Sequence, residues 1–158
     1  MKNKGFSLVE LIIVIAIMAI LAAAIAPALI RYIDKSRRGD DVQAAATINT
    51  AVTSTLANED AYDEVAQSMD GSTVIATADA HSSSAATFGS AGSCATFLAD
   101  LNSNLGNEAP KIKYTKNFGT AASSYTWQVK VNNAGKPVVV LHTTTDYELQ
   151  PNIHTCYK

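Results

Sequence analysis

Residues 5–30 read GFSLVELIIVIAIMAILAAAIAPALI, and the reading of this stretch decides the fold. From Leu11 to Ile30, twenty consecutive residues carry no charge. A helix rises about 1.5 Å per residue, so this run covers roughly 30 Å, the thickness of a bilayer's hydrocarbon core. A single carboxylate, Glu10, stands where the apolar run begins, behind a short, basic, glycine-ended leader, MKNKG. The leader does not fit an ordinary secretory signal, whose cleavage site follows the apolar region. Cutting after Gly5 would leave the apolar run in place and free a new N-terminus directly beside it.

Outward from this stretch, residues 6–58 predict one long helix, because helix formers dominate and Pro27 is its one proline. An interior proline removes a backbone hydrogen bond and clashes with the preceding turn, so a kink is expected near Ala23–Pro27. After Ile30 the character changes to Arg31, Lys35, Arg37 and Arg38, then Asp40 and Asp41. Val42, Ala45, Ile48, Val52 and Leu56 then recur at spacings of three and four, one amphipathic stripe with a C-terminal domain to bury against. The acidic stretch 58–70 fits a short second helix. Residues 81–93, HSSSAATFGSAGS, read as a surface loop. Ser93 reads as the N-cap of a helix carrying Phe97, Leu98, Leu101 and Leu105, with Gly106 as its stop. Strands are expected over Lys111–Thr115, Tyr125–Val131 and Pro137–Thr143, with Asn132–Gly135 as a hairpin connection. Pro137 would open its strand, where a missing N–H is tolerated.

The chain has 158 residues, which leaves about 100 beyond the N-terminal arm for one small domain with a modest core. The formal charge is −2. Without Lys2 and Lys4, 10 basic residues face 14 acidic ones, a charge of −4 that gives no footprint for specific nucleic-acid binding. Lys111, Lys113 and Lys116 read as a strand edge guarded by lysines, with contact to DNA or a surface as the sharper alternative. No G-x-S-x-G, H-E-x-x-H or phosphate-binding glycine loop is present, so enzyme chemistry and a cofactor find no support. Asp40, Asp41 and the acidic residues 59–64 read as solvated faces. Trp127 and Tyr125 lie two apart on one strand and share a face, which reads as core.

The combination Gly5-Phe6-Ser7-Leu8-Val9-Glu10-Leu11, behind a basic leader and before an apolar run containing Pro27, resembles the class III signal of type IV pilins over residues 1–38. The resemblance implies an α+β fold: a long N-terminal helix, half membrane-spanning and half amphipathic, packed on a small antiparallel β-sheet head. It divides the chain into a leader (1–5), a transmembrane or filament-core helix (6–30), the amphipathic half of the same helix (31–58) and a globular head (59–158). It implies cleavage by a prepilin peptidase between Gly5 and Phe6, N-methylation of Phe6, and assembly through Glu10 and Pro27. The product would be a homopolymeric filament, built with an assembly platform and minor pilins, and serving motility, adhesion or DNA uptake. The precursor would sit in the membrane with its head outside the cytoplasm; the mature subunit would be extracellular. Positive-inside counting opposes that orientation, since Lys2 and Lys4 face four basic residues beyond the span.

Cys94 and Cys156 would be bridged in an oxidising compartment, as pilins often close their C-terminal region. The bridge would close about 60 residues and contribute roughly 4 kcal/mol. A metal site formed by His154 and Cys156 with Cys94, His142 or His81, and free thiols, are the other readings. Two rival functions remain: a pseudopilin of a secretion or competence system, for which Asp146 and Glu148 are the candidate calcium ligands, and a membrane-anchored binding protein that never polymerises.

Overall fold

The structure, a computed structural model, describes residues 6–81, 86–90, 94–116 and 125–158. The leader, most of the 81–93 loop and Ser93 therefore lie outside the described residues. The chain divides into two compact units, Met1–Ser36 and Arg37–Lys158. Helix α1, Leu8–Thr55, runs unbroken past Pro27 and ends three residues before the expected boundary.

In the first unit the described residues are helical from Leu8 onward, and large apolar side chains point outward all round. Leu8, Ile20 and Tyr32 are each at least 70% exposed. Among the described residues, no side chain of this unit belongs to the core cluster.

The second unit begins with the polar half of α1. Its buried residues are Asp41, Ala45, Ile48, Ala51, Val52 and Thr55. The stripe is thus centred one position from the expected one: Val42 and Leu56 are only partly buried, and Asp41 and Thr55 take the ends. Thr55 is accommodated because its hydroxyl donates to the Ala51 carbonyl at 2.9 Å. Helix α2 follows over Glu59–Val65, as expected, with Asn58 accepting the Asp60 amide as its N-cap.

Five antiparallel strands form the sheet: β1 (Ala76–Asp79), β2 (Gly89–Ser90), β3 (Thr126–Val131), β4 (Pro137–His142) and β5 (Asp146–Gln150), in the order β2-β1-β3-β4-β5. The β3–β4 hairpin pairs Trp127 with Leu141 and Val129 with Val139. Its turn forms where expected: Asn132 Oδ1 accepts the Ala134 and Lys136 amides, and Gly135 takes φ +71°, a conformation costly to a residue with a Cβ. Trp127, Val129, Val131, Val139, Leu141 and Leu149 project into the core, where they meet Ala45, Ile48 and Val52 of α1. Asn49 Nδ2 also donates to the Pro137 carbonyl at 3.3 Å. The α+β architecture of a long apolar helix backed by a small antiparallel sheet is therefore present.

Helix α3, Ala95–Asn104, inserts Phe97 and Leu101 into the same core and ends at Gly106 in the left-handed region, as expected. Cys94 is its N-cap but makes no side-chain capping bond. Glu64 of α2 does that work from a neighbouring helix: its carboxylate accepts the Phe97 amide at 2.9 Å and the Thr96 amide at 3.1 Å. The Phe97 amide first, then the Thr96 hydroxyl and amide, hold the Glu64 carboxyl below its usual range.

Residues 111–115 do not form the expected strand. A ladder needs alternate residues to face one neighbour. Here the consecutive amides of Lys113 and Tyr114 both turn to Asp41, at 2.7 and 3.0 Å. The segment is instead stitched down as a strap. The Ile112 amide donates to Ala80 O, and Pro110 O accepts the Trp127 indole at 2.6 Å. Asp41, expected in solvent, is completely buried. Burial raises its pKa to about 6, against the opposing pull of the Lys113 and Tyr114 amides.

Two outcomes follow for the head. Ile48→Ala removes a fully buried side chain where α1 meets the sheet and lowers the unfolding free energy by about 2–5 kcal/mol, read by urea titration on the fluorescence of Trp127. A change of a few tenths would contradict the packing described. The second concerns pH. A carboxyl whose pKa is higher folded than unfolded favours folding most when protonated, so its contribution is full below 3.8 and lost as pH rises through about 6. The wild-type urea midpoint should therefore fall from pH 4 to 7 relative to that of Asp41→Asn; parallel profiles would rule out the buried carboxyl as the cause.

Candidate functional site

The start of α1 carries the residues on which function was expected to rest. Leu8 is the first helical residue, so Ser7 is the N-cap and Glu10 the third helical position. The Leu11 amide closes the first turn on the Ser7 carbonyl at 3.3 Å. The Ser7 amide donates to Glu10 Oε2 at 2.9 Å, the reach-back half of a capping box. The Glu10 anion is therefore placed at the positive end of the helix with one hydrogen bond already made. Its signature, Ser7-x-x-Glu10 directly before an apolar run, stands in the sequence but was not among the features read from it.

Phe6 precedes the helix and is 82% exposed. Gly5 lies outside the described residues. An amine at the Phe6 nitrogen would stand one residue before the amide that Glu10 holds, on a segment with no helical hydrogen bonds to break. Residues 1–36 hold no cysteine or histidine to act as nucleophile or base beside Glu10. The arrangement offers one anion at the head of a rod of exposed apolar side chains, from Phe6, Leu8 and Val9 through Leu29, Ile30 and Ile33. Contiguous apolar surface on this scale marks contact with a membrane or with other protein. The helix is long and apolar enough to cross a membrane. Pro27 sits inside it and has no N–H to give the Ala23 carbonyl.

The other candidates are dispersed over the head. Cys94 and Cys156 are both free thiols, the first buried and the second exposed, so the expected bridge is not formed in this structure. Cys94 opens α3, whereas Cys156 lies in the final 3-10 turn, Thr155–Tyr157, where its carbonyl accepts from Arg38 Nη1 at 3.3 Å. His154 Nδ1 accepts the Cys156 amide rather than facing a shared ligand set, and no group of three His, Cys, Asp or Glu side chains converges among the described residues. Lys111 pairs with Glu108 at 3.3 Å and Lys113 with Asp40 at 3.0 Å, so two lysines of the basic patch are compensated within the chain. Asp146 is held between Lys130 and His142, whose hydrogen bonds keep its pKa low, Lys130 contributing most. Glu148 accepts from Asn152. Trp127 and Tyr125 are core residues, as expected.

Asp41 and Arg38 were missed as structural anchors. Arg38 lies over the Tyr114 ring at 5.2 Å and reaches the carbonyls of Cys156 and Lys158, so one helical turn of α1 fastens both the strap and the C-terminal segment. Extending the stripe Ala45, Ile48, Val52 back by one turn lands on Asp41, a signal available in the sequence.

No solved structure matches the chain. Residues 1–26 do match the family model of the prokaryotic N-terminal methylation motif. The match covers Phe6, Ser7 and Glu10, whose capping geometry is described above, together with most of the apolar run. The chain thus carries, at its N-terminus, the prokaryotic N-terminal methylation motif, the class III signal of type IV pilins.

Proposed function

We propose that this chain is the precursor of a type IV pilin, a structural subunit and not an enzyme. A prepilin peptidase cleaves it between Gly5 and Phe6, and the new Phe6 amine is methylated. The subunit then leaves the membrane, with the help of an assembly platform and minor pilins, and enters a homopolymeric filament whose core is the apolar half of α1. The observation that carries this reading is the exposed rod itself, headed by the methylation motif and a single acid. Such a surface is stable in lipid or among copies of itself, and in neither case in water.

Glu10 supplies the register. In the isolated chain its hydrogen bond is to its own Ser7 amide. In the filament it pairs with the cleaved amine of a neighbour, a charge that exists only after processing. A desolvated pair of this kind opposes any axial offset that would strand either charge.

The test uses two substitutions, expressed in the cognate bacterium. Breaking one side of a buried ion pair costs about 3–5 kcal/mol, where 1.4 kcal/mol is already tenfold. Cleaved Glu10→Ala should therefore give at least tenfold less filament in the sheared fraction. Glu10→Gln keeps an acceptor for the Ser7 amide but has no charge, and should be as defective. Rescue by glutamine would reduce Glu10 to a helix cap, and wild-type yield from the alanine variant would remove it from assembly altogether.

A further inference from the structure

Immediately beyond the apolar run, α1 carries Arg31, Tyr32, Lys35 and Ser36, all exposed. Spacings of one, three and four residues put these side chains on one side of the helix. Asp34, three residues past Arg31, borders this face and is half-buried. Tyr32, Lys35 and Ser36 line a concavity of about 390 Å³. Its polar groups are two hydroxyls, each able to donate a hydrogen bond, and an ammonium, with no carboxylate in the lining. Among the described residues neither Arg31 nor Lys35 has an ion-pair partner.

Depth adds a second, independent constraint. If Leu11–Ile30 fills the hydrocarbon core, the next six residues rise about 9 Å and occupy the headgroup layer. Tyr32, 73% exposed, is the residue type that settles at that boundary. The long stems of Arg31 and Lys35 let their charges reach outward to phosphate level.

We propose that this face is a binding site for the headgroups of anionic phospholipids, phosphatidylglycerol being the simplest. The Lys35 ammonium and the Tyr32 and Ser36 hydroxyls receive the phosphate, and Arg31, one turn nearer the core, takes a second lipid bidentately. The inference rests on the reading of α1 as a membrane anchor in the precursor. It gives the basic residues beyond the span, which oppose the expected orientation by charge counting, a use on the leaflet that faces the head. It also makes extraction from the membrane dependent on lipid charge, because these contacts are surrendered when the subunit leaves.

Electron spin resonance of spin-labelled lipids tests this on the full-length chain reconstituted in phosphatidylcholine vesicles. At low ionic strength, labelled phosphatidylglycerol should associate with the chain about fivefold more strongly than labelled phosphatidylcholine, and the preference should shrink towards unity in 1 M salt. The Arg31→Gln/Lys35→Gln double variant should lose most of the preference while restricting the same total amount of lipid, since both side chains are exposed and outside the core. Equal restriction of the two lipids by the wild type, or an undiminished preference in the double variant, would overturn the site while leaving the anchor intact. Absence of any restricted lipid would instead refute the anchor, and the site with it.

Discussion

Burying apolar surface is worth about 25 cal/mol for each Å², and the first unit of this chain leaves its large apolar side chains uncovered around the whole helix. Folding of the chain alone cannot relieve that cost, because none of these residues joins the core cluster. The deficit is therefore carried into whatever surrounds α1. A bilayer relieves it for one copy and a bundle of like helices for many. Within either medium Glu10 is the expensive group, and its placement at the helix start, with the Ser7 amide donating to it, lowers the expense without cancelling the charge.

The head is held by a different balance. Its sheet and the polar half of α1 enclose a core in which Trp127, Phe97, Ile48 and Leu141 are completely buried. Around the rim, polar groups do the fastening. Asp41 receives two consecutive strap amides, Arg38 reaches the C-terminal carbonyls, and Glu64 caps a helix that cannot cap itself. Burial raises the pKa of Asp41 and also pushes the nearby Tyr157 phenol well above the usual tyrosine range. The segment Arg38–Asp41 thus concentrates most of the contacts by which α1 holds irregular backbone. These are interactions in which a lost partner leaves a buried amide or charge uncompensated.

What could be read from the sequence follows from how local each signal is. The apolar run, the second helix and the Asn132–Gly135 turn depend on neighbouring residues and are present in the structure. The stripe on α1 was displaced because two adjacent positions, Asp41 and Val42, satisfy the period almost equally, and hydropathy favours the valine. Burial went to the aspartate because distant amides at 113 and 114 satisfy it. Strand β1, Ala76–Asp79, has no β-branched residue except Thr77, and β2 is Gly89–Ser90 alone, so neither carries a propensity signal. Strand β5 escaped because Asp146 and Glu148 face outward along it. The 111–115 segment reads as a strand by composition, but its amides are spent on Asp41 and Ala80. At the functional end, Phe6 and Glu10 were legible from the motif, whereas the hydrogen bond joining Glu10 to Ser7 became visible with the helix boundary fixed at Leu8.

The central claim is that proteolysis turns a membrane-held rod into a polymer core. Intact-mass measurement of this chain in filaments sheared from cells tests it most directly. The account predicts a chain that begins at Phe6 and carries one additional methyl group at its N-terminus. A chain that retains Met1–Gly5, found in the membrane and never in the sheared fraction, would contradict it.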